Sequence, residues 1–110
     1  MDFIDKLDGA VIVTDSEGRL SYMNEKAVRQ YEKDGGAALI GRKLSDCHSE
    51  RSNQIIEEMI RTRKNNVYTI EKNGKKKLIF QTPWISGGEF KGLVELSLEI
   101  PFDMPHFVRG

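Results

Sequence analysis

Ala10–Asn24 reads AVIVTDSEGRLSYMN, and every residue type in it has a place. Ala10–Thr14 is a short apolar run rich in β-branched residues, as in a buried strand. Asp15-Ser16-Glu17-Gly18 then has turn chemistry: an Asp that can bond its own backbone, and a Gly free to take positive φ. Arg19–Met23 alternates polar and apolar, as a second strand does. Asn24 offers a side-chain oxygen to cap the helix that follows. The stretch predicts a hairpin running straight into a capped helix.

Outward from that hairpin, Met1–Asp8 carries Phe3, Ile4 and Leu7 at helix-like spacing, too short for a helix stable alone. Glu25–Glu32 is predicted helical, with Ala27, Val28 and Tyr31 on one stripe, and Lys33-Asp34-Gly35-Gly36 breaks it. Ala37–Ile40 fits one short helical turn, and Arg42–Cys47 is irregular. Ser49 to about Lys64 is helical again, with Ile55, Ile56, Met59 and Ile60 on an apolar stripe. Val67–Lys72 and Lys75–Ile85 are strands joined by Asn73-Gly74, a strong hairpin signal. Phe90–Ile100 is the last strand, after the turn Ser86–Glu89. Its Val94, Leu96, Leu98 and Ile100 alternate with Glu95, Ser97 and Glu99. The order is β-β-α-(α)-α-β-β-β, an α+β class chain.

The bulk numbers bound the function. At 110 residues the chain suits one core, burying roughly 60–70% of its unfolded surface. Lys+Arg and Asp+Glu both count 17, giving zero net charge and arguing against nucleic acid as a partner. The single cysteine excludes an intrachain disulfide and fits a reducing compartment. No run approaches the ~18 apolar residues of a membrane span, and Met1–Leu7 lacks a signal-peptide core, so a cytoplasmic location is expected.

The hairpin resembles the opening of a PAS domain, the small sensory module of signalling proteins. That opening commonly reads apolar strand, Asp-x-x-Gly turn, Tyr/Val-x-Asn. Ile40-Gly41-Arg42-Lys43-Leu44 is similar to the segment before that family's long helix. His48-Ser49-Glu50 stands where many members have His-Pro-Glu/Asp, and Gly92–Ile100 is similar to the closing strand. The resemblance spans roughly Leu7–Pro101. It implies a five-stranded antiparallel sheet with helices packed on one face: a helical segment at residues 1–8, the PAS-like domain at 9–101 and a tail at 102–110. It also implies a small molecule of unidentified class between sheet and helices, and signalling through a homodimer or a partner protein in trans. By the same resemblance the candidate pocket residues are Tyr22, Tyr31, Cys47, His48, Ile56, Met59, Phe80, Thr82, Trp84 and Ser97. Phe3, Ile4 and Leu7 are the candidate dimer residues. The alternative is a ligand-free interaction module with a filled core.

The residues themselves leave several readings side by side. Leu78, Phe80, Thr82 and Trp84 share one strand face, and a hydroxyl among aromatics suits either a pocket or an ordinary core. The alternation does not say which face turns inward, and Pro83 marks an edge or a bulge. Cys47-His48 reads as cap and packing, as a haem or metal ligand at His48 (a Soret band would reveal haem), or as a reactive thiolate at Cys47 near a helix N-terminus. The c-type haem signature and the Asn-Cys-Arg-Phe-Leu-Gln motif of flavin-binding light sensors are absent. His48 and His106 have no zinc-like spacing, so no metal site is expected. Lys72, Lys75, Lys76 and Lys77 form a basic hairpin, solvated or turned to an acidic partner. No Gly-rich phosphate loop, Ser/His/Asp set or carboxylate pair in a cleft is visible, so the chain does not read as an enzyme. Pro101 and Pro105 block a continuing helix. The tail's Phe102, Met104 and Phe107 are expected to pack back on the sheet or to enter a partner, in a stand-alone protein or an excised module.

Overall fold

The computed structural model describes residues 2–43 and 50–110, and of Ser52 the backbone only. Its elements are α1 (Phe3–Lys6), β1 (Ala10–Asp15), β2 (Leu20–Met23), α2 (Glu25–Gln30), α3 (Glu50–Thr62), β3 (Asn66–Lys72), β4 (Lys75–Ser86) and β5 (Glu89–Ile100). Two short 3₁₀ turns, Glu32–Asp34 and Gly36–Leu39, stand between α2 and α3. The strands make one antiparallel sheet in the order β2-β1-β5-β4-β3. This is the α+β architecture expected from the sequence.

The first hairpin closes by the predicted chemistry. Asp15 Oδ1 accepts from the backbone N–H groups of Glu17 and Arg19 at 2.9 and 3.0 Å, and Gly18 takes φ +81°. Asn24 does more than cap. Its Oδ1 accepts from Ala27 N at 3.0 Å, as an N-cap does, and also from Val11 N at 2.9 Å. Its Nδ2 donates to the carbonyls of Gly9 and Ile4 at 2.8 and 2.9 Å. One fully buried side chain therefore fastens β1, α2 and the N-terminal segment together.

Elsewhere the strands are set by backbone geometry. Asn73 and Gly74 both take positive φ, +54° and +75°, the requirement of the tight β3–β4 turn. At Gly92, φ +155°, a Cβ would lie 1.9 Å from the Thr14 carbonyl oxygen, so only glycine lets β5 close on β1 there. Pro83 sits where β3 has already ended: the last β3–β4 pair is Asn66 with Gln81. Beyond that point β4 is an edge, which tolerates a missing N–H.

The core gathers Ala10, Leu20, Met23, Ala27 and Leu39, with Ile12, Val28 and Tyr31 packed against it. In α3, Met59 is buried and Ile55, Ile56 and Ile60 are partly buried, while Glu57, Glu58 and Arg61 face water. One expected boundary needs correction. Helix α2, expected to reach Glu32, stops at Gln30 and tightens into a 3₁₀ turn before Gly35, whose φ of +123° ends it. Of the two alternatives for the tail, packing back on the sheet is not what is seen: Phe102, Met104 and Phe107 are 55%, 54% and 71% exposed.

Candidate functional site

Register places the sheet's residues in rows, and the rows show which face meets the helices. One row runs Asn66, Gln81, Glu95, Ile12, Met23 across all five strands. The next runs Tyr68, Ile79, Ser97, Ala10. These residues share a face with Tyr31, which follows α2, and Ile56 of α3, because the same cavities touch all of them except Ala10, which is buried in the core. Leu78, Phe80, Leu96 and Leu98 alternate with them and so lie on the opposite face.

This is the reverse of the usual pattern, in which an antiparallel sheet turns its apolar alternate toward the covering layer. Here β4 and β5 turn Gln81, Glu95 and Ser97 inward. The inward polar groups are joined. Asn66 Nδ2 donates to Gln81 Oε1 at 2.9 Å, and Gln81 Nε2 donates to Glu95 Oε1 at 2.7 Å. The ladder spans three strands. Two phenols face it: burial first, then the Glu95 carboxylate, pushes both Tyr31 and Tyr68 above the ordinary tyrosine value. Ser97 is 6% exposed and its Oγ has no hydrogen-bond partner among the described residues.

Above this floor lie two adjoining cavities, of about 500 and 790 Å³. The smaller is lined by Ile12, Leu20, Met23, Leu39 and Leu93 with Thr14, Arg42 and Lys43. The wider runs over Tyr68, Ile70, Ile79 and Ser97 toward Lys72, Lys75 and Lys77. Both volumes fall in the range of ligand sites, roughly 300–1,000 Å³, and both mix apolar walls with a few convergent polar groups.

Of the residues singled out in the sequence, Tyr31, Ile56 and Ser97 line these cavities. Met59 is buried on α3 without lining either. Phe80, Thr82 and Trp84 share one face as predicted, but it is the face away from the cavities. Thr82 Oγ1 bonds Asn65 Oδ1 at 2.7 Å, and Trp84 is 45% exposed. Tyr22 is also turned away, its hydroxyl donating to Asp5 in α1. Cys47 and His48 lie outside the described residues. Sequence reasoning missed Gln81, Glu95 and Asn66, because it reads polar strand residues as solvent-facing. The signal available was Gln81 between Phe80 and Thr82, matched by Glu95 on the strand that follows. Among the described residues no three His, Cys, Asp or Glu side chains converge as metal ligands. Nor is any helix among them long and apolar enough to cross a membrane.

The model of the PAS fold family matches residues 4–65, more than half of the chain. The chain belongs to that family, the sensory domains of signalling proteins. In structure it is similar to a C-terminal domain from Streptococcus mutans, with a TM-score of 0.71 at 15% identity, covering 88% of this chain and 79% of that one. It is likewise similar to the PAS domain of histidine kinase ThkA, with a TM-score of 0.65 at 18% identity over 82% and 97% of the two chains. A third likeness is to the Aer2 receptor of Vibrio cholerae, described as a dual PAS-haem oxygen sensor. There the TM-score is 0.62 at 16% identity, over 84% of this chain and 95% of that one. No curated protein sequence is similar enough to this chain to count as a match.

Proposed function

We propose that this PAS domain senses a small molecule held between the sheet and the helices, over the Asn66–Gln81–Glu95 ladder and Ser97. The observation that carries this reading is the inward polar ladder beneath cavities of ligand size. A few polar groups on the floor of a largely apolar space of this size are what orients a bound small molecule. A ligand there touches Tyr31 beside α2, Ile56 on α3 and the β4–β5 floor at once. It favours whichever packing of helices on sheet gives it the better contacts, and shifts the population by that difference alone.

The output side of the proposal is the opposite face. Val67, Leu78, Phe80, Leu96 and Leu98 lie there, none of them fully buried, with Trp84 exposed beside them. Phe3, Ile4 and Leu7 are 57%, 40% and 41% exposed on the N-terminal segment. These apolar groups suit a second copy of the chain. Sedimentation of Ile4→Asp tests this half: an oligomeric state equal to that of the parent protein removes α1 from the interface.

Intact mass under native and then denaturing conditions tests the ligand. An excess over whole chains that vanishes on denaturation supports a bound small molecule and gives its mass. Whole-chain masses alone, with no saturable binding in a metabolite screen, favour a ligand-free interaction module instead.

A further inference from the structure

The junction of the two cavities is asymmetric in charge. Five residues line both: Tyr31, Asp34, Ile56, Gln81 and Glu95. Two are carboxylates and none is a cation. Of the wider cavity's three lysines, Lys77 donates to Gln30 at 3.3 Å and Lys75 pairs with Glu99 at 3.3 Å, while Lys72 lines that cavity alone and not the junction. Arg42 and Lys43 are exposed and line only the smaller cavity. Glu95 spends Oε1 on Gln81 and has no salt bridge among the described residues. A partly buried carboxylate without a counter-charge is unfavourable, and a cation supplied from outside relieves it.

A second observation points the same way. Ser97, which lines the wider cavity, carries a buried hydroxyl with no partner among the described residues, on the same face of β5 as Glu95, two residues along and so roughly 7 Å away. Resting on the ligand-binding reading above, we infer that the junction takes the protonated head of an organic amine or amidine, with an apolar body lying against the smaller cavity. The head's N–H groups donate to Glu95 and Asp34, in charge-assisted bonds shorter and stronger than neutral ones. Tyr31 lines the same junction and brings an aromatic ring to the charge. Ser97 serves a further polar group reaching into the wider cavity, and Ile12, Met23 and Leu39 pack the body.

Three probes of one shape and different charge test this: benzamidine, benzamide and benzoate, titrated against the protein by amide chemical-shift perturbation. The expected result is benzamidine binding roughly tenfold or more tightly than either of the others, with shifts centred on Tyr31, Gln81, Glu95 and Ser97. Glu95→Gln, which keeps the acceptor for Gln81 and the shape, should lose that preference, and Asp34→Asn should weaken it. Benzamidine binding undiminished in Glu95→Gln overturns the inference, as does failure of benzamidine to bind. If benzamide or benzoate binds the same residues as well or better, the cation inference falls and the pocket reading stands. If none of the three moves those residues and the native mass carries no adduct, both fall.

Discussion

Gln81 donates from Nε2 to Glu95 Oε1 at 2.7 Å while its own Oε1 accepts from Asn66, so one amide serves as both donor and acceptor across three strands. A carboxylate at position 81 can play only one of those parts. In Gln81→Glu the donor to Glu95 is gone and two like charges stand at directly paired register positions. The expected loss is about 1–3 kcal/mol at neutral pH. Lowering the pH through the carboxylate range should return much of it, because one shared proton restores a donor. Urea unfolding of parent and variant at neutral and acidic pH measures the difference. A loss that is independent of pH would mean the ladder does not carry it.

Asn24 distinguishes a cap from a staple. As an N-cap, Asp is about as good as Asn, so a helix cap alone predicts little change for Asn24→Asp. But Nδ2 faces the carbonyl oxygens of Ile4 and Gly9, and Asp puts an anionic oxygen against both in a site with 0% exposure. The expected cost is about 3 kcal/mol or more, near that of Asn24→Ala. Denaturant midpoints of the two variants decide. An Asp variant as stable as the parent would reduce Asn24 to its cap.

The first hairpin was legible because its information is local. The Asp15 turn and the Asn24 cap are short-range bonds between residues a few positions apart, and their residue types are nearly specific to them. The inward face of β4 was not legible, and the reason is physical. Period-2 alternation gives the two faces but not their direction, and direction is ordinarily assigned by apolarity. In β4 and β5 that rule points Phe80, Leu96 and Leu98 inward, whereas the helices sit over Ile79, Gln81, Glu95 and Ser97. Phe80, Thr82 and Trp84, three of the ten candidates, thus lie on the side of β4 turned away from the cavities. Tyr31 and Ser97 were reached through the family resemblance, not through their chemistry.

The bond between Tyr22 and Asp5 ties α1 to β2, and the carboxylate holds the Tyr22 phenol up to about 12 against an ordinary value of 10.0. The folded state therefore keeps this proton more tightly than the unfolded chain. The resulting stability is complete below about pH 10 and is lost as the pH rises through about 12. Tyr22→Phe removes it, so the stability gap between parent and variant should be constant at neutral pH and close on the alkaline side. Tyr31 and Tyr68 are raised in both proteins and cancel in that difference. Urea midpoints across the alkaline range, with phenolate absorbance in parallel, test it. A gap that stays constant through that range would detach the Asp5 bond from the shift.

Ser97 is where stability and binding should part. Its Oγ is buried with no partner among the described residues, so in the ligand-free protein the hydroxyl is desolvated without a compensating bond. Ser97→Ala keeps the packing of Cβ and deletes the orphan. It should leave the ligand-free domain as stable as the parent or up to about 1 kcal/mol more so, where most buried substitutions destabilise. The same change should weaken any ligand that bonds in the wider cavity, giving opposite signs in two measurements on one variant. Unfolding of the ligand-stripped protein supplies the first and titration with the ligand supplies the second. A purely structural serine would lose stability and spare binding. A residue retained for its ligand at the expense of the free state does the reverse, and only that reverse is consistent with an unpaired hydroxyl on the cavity side of β5.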